Sequence, residues 1–318
     1  MPANSTSTMR DSKWPCVGVV ILNWNGRDDV LNCVSTLPRL DYPNYFATVV
    51  DNGSSDGSVA ALRERFPQQR ALVMEKNLGF CGGNNRGIAD ALEHGADYVL
   101  LLNNDTEMHP ALLRELVEVA AKDARIGAVG AKNLRLENPR QVWGAYGELT
   151  YGSELVYVQG RSQPDGPVYE EVRDADWVIG NGLMMSRAAV ERIGGFDETF
   201  FGYHEDVDWC ARARQAGFRV VFNGRAIIFH KGFGAADPSR PIKFPVLYFL
   251  GRNGILFARK HGSPLQRVRY ATLFLARVAR LFVLGRLGRE ERESYRWLLR
   301  GFYHGLTGRL VLEELKLQ

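Results

Sequence analysis

The stretch YVLLLNNDTEMHP, residues 98–110, runs as an apolar strand and then stops on Asn103, Asn104 and Asp105. In open α/β sheets, ligands bind beyond the carboxyl ends of the strands. A carboxylate placed there faces the chemistry. Mg²⁺ and Mn²⁺ take oxygen ligands and are commonly shared between one or two carboxylates and substrate phosphates. Asp105 can supply such a ligand; its other use, capping the helix that opens at Pro110, needs a long spacing. A second acidic group, Glu205, Asp206 and Asp208, lies in FFGYHEDVDWCARARQAGF (200–218) at a helix start. The helix dipole alone favours acids there. Crowded carboxylates also repel, which raises the pKa of at least one. That suits a general base, which must hold and release a proton near neutral pH. His230 ends AIIFHKG, either as a structural histidine or as a residue returned to the same cleft.

Two further segments bear on ligands. Asp51, in VVDNGSSDGS (49–58), ends a strand and can accept from a base imide N–H or a ribose hydroxyl. Alternatively Asp51 and Asn52 form a turn and Asp56 caps the next helix. NLGFCGGNNRG (77–87) is glycine-rich but lacks GxGxxG spacing, so a nicotinamide dehydrogenase loses its main support. Glycines before a helix still allow close backbone approach and N–H donation to an anion. A ligand-free turn is the other reading.

These segments need elements to position them. Apolar β-rich runs at 16–24, 45–51, 70–77 and 97–105 alternate with helical patterns at 29–40, 59–66, 82–95 and 110–123. That alternation predicts a parallel sheet covered on both faces. The loops NWNGRD, DNGSSDGS, EKNLGF and NNDTEM all follow strands and therefore gather at one carboxyl edge. After residue 125, short strands with glycine turns precede a helix at 206–218. RVVFNGRAIIFHKG then reads as a strand pair or a strand and loop. From about residue 240 the chain turns aromatic and basic, then helical.

Composition is that of a folded chain: 318 residues, 45% apolar and 24% charged. Cys16, Cys33, Cys81 and Cys210 show no CxxC spacing and read as free thiols of a reducing compartment. MPANSTSTMRDSKWP reads as a loose tail with no apolar signal region, and no stretch has the length of a membrane span. From Arg252 onward, 14 Lys+Arg face 5 Asp+Glu, whereas the preceding residues carry 26 and 31. Two regions with different partners are implied.

In order, VVILNWNG, VVDNGSSDGS, NLGFCGGNNRG, LLLNNDT, NGLMMSRAAVERIGGFDETFFGYHEDVDWCARARQAGF and IIFHKG resemble a family 2 glycosyltransferase of the GT-A fold, across about residues 15–235. The nearest subgroup in pattern is similar to bacterial rhamnosyltransferases and galactofuranosyl relatives of cell-surface polysaccharide synthesis. YFLGRNGILFARKHG matches that subgroup's tail. The resemblance implies an α/β GT-A fold with a Rossmann-like, mostly parallel sheet flanked by helices, and a C-terminal basic amphipathic helical region. It places a tail at 1–14, a glycosyltransferase domain at 15–238 (nucleotide half to about 125, acceptor half beyond) and the helical region at 239–318. It assigns Asn23, Asn25, Asp51, Asn77, Gly79, Asn84, Asn104 and Asp105 to the donor. Asn103, Asp105 and His230 take the metal, Mn²⁺ or Mg²⁺. Asn103 replaces the first acid of the Asp-x-Asp pattern, which weakens metal binding, while an imidazole ligand tilts preference towards Mn²⁺. Asp206 matches the catalytic base, with Glu205 beside it. Trp177, Asn181, Gly182 and Asp208 are assigned to the acceptor, and Trp209 to packing behind the base.

The expectation is an inverting transferase using dTDP-rhamnose, or otherwise UDP-galactofuranose, UDP-glucose or UDP-GlcNAc. Its acceptor is a hydroxyl on a glycan or polyprenyl-diphosphate-linked carrier. In residues 265–284, Arg269, Arg277 and Arg280 fall opposite Val268, Phe274, Val278, Leu281 and Phe282. That suits a helix on the cytoplasmic face of an anionic inner membrane, or one docked on the enzyme or on a second copy as a homodimer. Nucleic acid is not an expected partner. Two other classes fit the sequence less well. A nucleotidyltransferase would carry a Gly-rich signature with Arg and Lys where NWNGRDDV stands. A non-catalytic scaffold would not need Asp51, Asp105, Asp206 and His230 together.

Overall fold

The computed structural model describes residues 14–232, 244–283, 289–313 and 315. The strands are β1 (Val17–Asn23), β2 (Tyr45–Asp51), β3 (Arg70–Val73), β4 (Tyr98–Asn103), β5 (Thr106–Met108), β6 (Ile126–Arg135), β7 (Val142–Gly144), β8 (Tyr146–Leu149), β9 (Val156–Val158), β10 (Val172–Asp174), β11 (Trp177–Val178), β12 (Leu183–Ser186) and β13 (Arg219–His230). The helices are α1 (Arg27–Thr36), α2 (Ser58–Arg65), α3 (Gly79–Glu93), α4 (Leu112–Ala120), α5 (Arg187–Ile193), α6 (Glu205–Gln215), α7 (Phe244–His261), α8 (Pro264–Val283) and α9 (Arg289–Thr307).

The main sheet runs β10-β13-β6-β12-β4-β1-β2-β3, with β5 on β13 and β7 on β6. Its first half is parallel, as the strand–helix alternation predicts. β12 then enters antiparallel between β4 and β6. β11, β8 and β9 form a small separate sheet.

Two apolar cores lie on the two faces because alternate strand residues point opposite ways. Val17, Val19 and Ile21 of β1 join Leu100 and Leu102 of β4 under α1, α2 and α4. Val20 and Leu22, with Val99 and Leu101, face α3, α5, α6 and the C-terminal helices. The strands are apolar throughout because both faces are covered.

The glycine-rich segment differs from a phosphate-cradling turn. Helix α3 already begins at Gly79, so Gly82, Gly83 and Gly87 lie inside it. A Cβ on Gly83 would stand 2.5 Å from Leu22 Cδ1, and one on Gly87 would stand 2.2 Å from Val20 Cγ1. These glycines let α3 lie directly on β1. RVVFNGRAIIFHKG forms the single long strand β13, whose pairing with β6 shifts register between Asn223 and Ile227.

The C-terminal helices also refine the sequence pattern. Phe274 and Val278, expected on an outward apolar face of α8, are buried with Tyr270 in the protein core. Val268 is exposed, together with Leu265, Leu275 and Val283. The side chains of Leu281 and Phe282 lie outside the described residues. Among the described residues, no helix is long and apolar enough to cross a membrane.

Gly87→Ala sets a helix-propensity gain of about 1 kcal/mol against overpacking of about 1–3 kcal/mol. At 2.2 Å from a stiff valine in a central strand, overpacking dominates. A urea melt should show a lower midpoint for Gly87→Ala; an unchanged or higher midpoint would contradict this packing role.

Candidate active site

Strand ends β1, β2 and β4 carry one polar network. Asn23 Nδ2 donates to Asp51 Oδ2 at 2.9 Å and to Ser54 Oγ at 3.3 Å. Asn104 Nδ2 donates to Asn23 Oδ1 at 2.7 Å. Ser54 N donates to Asp51 Oδ1, and Asn25 Oδ1 accepts from Ser55 N. The network thus joins Asn23, Asn25, Asp51 and Asn104 in one wall. Asp56 accepts from Ser58 N and Arg27 N, the first residues of α2 and α1, while Gly57 stands at the N-cap of α2.

A second wall begins at Asn52. Its amide donates to Asn77 Oδ1 and to Gly79 O, and its Oδ1 accepts from Leu78 N. Asn77 and Gly79 therefore face the same edge. Asn84 lies deeper, bonded to Phe80 O of its own helix, with its Oδ1 lacking a partner.

Just past β4 the chain returns as β5, which pairs Thr106 with His230. That pairing brings the imidazole to Asp105: His230 Nε2 is 3.1 Å from Asp105 Oδ1. The Asn103 amide is 3.5 Å from the same nitrogen, and Gly232 N donates to Asp105 Oδ2. Burial opposes ionisation of Asp105. The hydrogen bond and charge of His230, with the Gly232 N–H, outweigh it and hold the carboxyl below its usual range. Trp143 packs edge-on against His230 at 4.6 Å.

The third part is the start of α6. Asp206 Oδ2 accepts from Gly180 N at 2.9 Å and Oδ1 from Val207 N at 2.8 Å. Burial pushes Asp206 up to about 6, against the pull of those N–H groups. It keeps part of its surface open, unlike Glu205. Burial, then the Asp206 charge, push Glu205 well above the carboxylate range, so it holds its proton. His204 is held neutral by burial, its pKa lowered to about 4.

The turn feeding α6 is strained: Phe201, Tyr203 and His204 have φ of 63°, 68° and 68°. Such residues cost roughly 1–2 kcal/mol each and persist where surroundings fix them.

Asp206 and the Asp105 corner are joined through two consecutive residues. Gly180 donates its N–H to Asp206. Asn181 Oδ1 accepts from Asn103 N at 3.0 Å, and its amide pairs with Thr106 Oγ1. Asn181 is buried and orders the strand end. Gly182, at φ 88°, carries the chain from that turn into β12. Trp177 is buried over Gly147. Trp209 is fully buried and donates to Gly194 O.

Asp208, expected near the acceptor, is engaged within the protein. Its carboxylate is fully buried and bound by Arg212, Lys260 and His261 at 2.7–2.8 Å. Burial opposes its ionisation, but those partners outweigh it and lower the pKa. It fastens α6 to α7.

Residues 15–239 match the family described as "Glycosyltransferase like family 2". The chain belongs to that family. This glycosyltransferase-family chain is 30% identical over 201 residues to the Mycobacterium tuberculosis N-acetylglucosaminyl-diphospho-decaprenol L-rhamnosyltransferase, a match covering 57% of this chain and 65% of that protein. The chain therefore spans less than two thirds of that relative's length. It is 23% identical to the Low-salt glycan biosynthesis hexosyltransferase Agl10 of Haloferax volcanii, over 96% of both chains. Among solved structures it is similar to the mannosyltransferase PcManGT from Pyrobaculum calidifontis in complex with GDP-Man and Mn²⁺. The TM-score is 0.57 at 16% identity, covering 93% of this chain and 88% of that one. A second likeness is S. aureus TarS 1–349, with a TM-score of 0.56 at 14% identity, covering 91% and 80%. The fold is GT-A.

Several site residues carry little sequence signal. Gly180 acts through its backbone N–H, which any residue type supplies. Asn52 reads as a turn former, and β5 is too short for a periodic pattern.

Removing one partner of a buried ion pair costs about 3–5 kcal/mol, and the partial exposure of Lys260 sets the lower end. Asp208→Ala should therefore lose about 3 kcal/mol in a urea melt while nucleotide still protects the folded protein. Wild-type stability with lost nucleotide protection would return Asp208 to the ligand site.

Proposed function

We propose that the protein is an inverting, metal-assisted glycosyltransferase. It moves a sugar, rhamnose from dTDP-rhamnose in the reading favoured here, to a hydroxyl of a glycan or polyprenyl-diphosphate-linked acceptor in cell-wall or surface-polysaccharide assembly. The observation that carries this is the Gly180–Asn181 link, which ties a carboxylate of raised pKa to the Asp105–His230 corner and the polar strand edge. The donor choice rests on the relative named as an L-rhamnosyltransferase.

Asp51, Asn23 and Ser54 would receive the nucleoside. Asp105, His230 and the Asn103 amide would hold the cation. Among the described residues no group of three or more His, Cys, Asp or Glu side chains is set for a metal. The protein would thus offer a carboxylate, an imidazole and an amide, with donor phosphates supplying further oxygens. This donor set fits Mn²⁺ better than Mg²⁺. A bound cation offsets charge on the departing nucleoside diphosphate.

Asp206 takes the proton of the acceptor hydroxyl as that oxygen bonds to the anomeric carbon and the bond to the diphosphate breaks. One displacement inverts the centre, and no covalent sugar–enzyme intermediate forms. The two backbone N–H groups fix the carboxylate while leaving lone pairs for the incoming proton.

The test is a donor panel with Mn²⁺ or Mg²⁺, following nucleoside diphosphate release and protection against thermal unfolding. Metal-dependent protection should be greatest with dTDP-rhamnose and lost on chelation. Protection by a UDP-sugar alone would overturn the donor, and no response to any nucleotide would overturn the enzyme reading. Asp206→Asn should lower kcat by about 10²–10⁴ with donor protection intact. Because the ionised form is the base, wild-type turnover should fall as pH drops through about 6; a flat profile from pH 5 to 8 would argue for another base.

The outer face of α8 supplies the membrane contact in this reading. Leu265 and Val268 are 78% and 65% exposed, and Arg267, Arg269 and Arg280 are exposed on the same helix. Apolar side chains flanked by arginines suit the boundary of an anionic bilayer. The protein should float with vesicles containing phosphatidylglycerol but not with phosphatidylcholine alone, and Leu265→Glu with Val268→Glu should abolish flotation. A concentration-dependent dimer that the same changes dissolve, without flotation, would assign this face to a second copy.

A further inference from the structure

Helix α7 lies beyond the residues that match the family, yet it reaches the turn that enters α6. Backbone carbonyls in a buried turn need partners, and here each one from Thr199 to Tyr203 has one. Thr199 O accepts from Arg252 Nη1 at 2.8 Å. Asn253 Nδ2 donates to Phe200 O at 2.8 Å, Gly202 O at 2.7 Å and Tyr203 O at 2.8 Å. Phe201 O accepts from Cys81 N of α3.

Asn253 is fully buried, so its two amide protons are shared among three oxygens without water. Its own Oδ1 accepts from Arg252 Nη1 at 2.7 Å, which fixes the orientation of the amide. Arg252 is itself tied by Nε to Arg309 O at 2.7 Å. One turn earlier on α7, Phe249 stacks on Phe201 at 5.6 Å and on Tyr203 at 6.3 Å. One helix thus binds the carbonyls and the rings of the strained turn. Lys260 and His261, at the far end of α7, hold Asp208 in the first turn of α6.

We propose that Arg252 and Asn253 are positioning residues for the transfer reaction, holding the 199–204 turn so that Asp206 stands in reach of the acceptor hydroxyl. The inference rests on the reading of Asp206 as the base. Asp206 has no side-chain partner of its own in the described structure; two backbone N–H groups orient it. One of these belongs to Val207, so the path of the backbone into α6 decides where the carboxylate points. The three residues with positive φ supply that path and would relax without the clamp.

The test compares wild type, Asn253→Ala, Arg252→Lys and Leu298→Ala. Leu298 is buried against α7 from α9 and serves as a packing control. A displacement near 1 Å can lower turnover by about 10²-fold. Asn253→Ala should lose about 10- to 100-fold in kcat with donor KM and nucleoside-diphosphate binding within about twofold of wild type. Leu298→Ala should lose stability with kcat kept. Arg252→Lys keeps the charge but drops the fork, and should lose less kcat than Asn253→Ala; it carries the test if Asn253→Ala does not fold. Wild-type kcat in both clamp variants, or an equal loss in Leu298→Ala, would overturn the proposal. Hydrogen exchange at the amides of residues 199–207 should quicken in Asn253→Ala and Arg252→Lys but not in Leu298→Ala. That readout is independent of the base reading, which fails separately if Asp206→Asn keeps full turnover.

Discussion

Two adjacent residues, Gly180 and Asn181, hold the two parts of the candidate site together. The N–H of one orients the Asp206 carboxylate, and the side chain of the next binds the backbone end of β4 at Asn103. The two groups lie on different elements, α6 and the edge of β4, and no direct bond joins them. Their separation is therefore set by one peptide unit and two hydrogen bonds, and Asn133 holds the next unit along by donating to Asn181 O. Rigidity of this kind is what proximity effects require, since misplacement by a fraction of a bond length is costly.

The protein uses different chemistry at the two ends of that link. On the nucleotide side, side-chain amides and hydroxyls bond to one another: Asn23, Asn104, Asn52 and Asn77 form a connected set with Asp51 and Ser54. On the base side, backbone groups do the work, and burial does the tuning. Asp105 and Asp206 are both carboxylates in crowded surroundings, yet they move in opposite directions. His230 stabilises the charge of Asp105, while Asp206 has only N–H dipoles to set against desolvation. One is thereby kept ionised, and the other is brought closer to neutral pH.

Much of this was legible in the sequence. The apolar runs that end on Asn, Asp and Gly placed β1, β2 and β4 and their polar loops, because a strand buried on both faces leaves an unmistakable composition. The helix start at Glu205–Asp208 was equally plain. What escaped the sequence was the division of labour within that acidic group: which acid faces the cleft depends on α7, whose lysine and histidine claim Asp208. The glycines of α3 were misread for a related reason. A glycine that admits a ligand and a glycine that admits a strand look alike until the neighbour is known. The amphipathic pattern of α8 likewise showed an apolar face but not that half of it is covered by protein.

The α7 clamp also bears on when the site comes into existence. Helix α7 is held by α9 through close glycine contacts: Cβ atoms on Gly251 and Gly301 would stand about 2 Å from Leu298 O and Tyr248 O. A chain is synthesised from its N-terminus, so the strand edge, the Asp105–His230 corner and α6 all emerge before the residues that lock the turn. The turn before Asp206 therefore gains its Arg252 and Asn253 partners only after the first 230 residues have been made, so the parallel half of the sheet can fold before that turn is held.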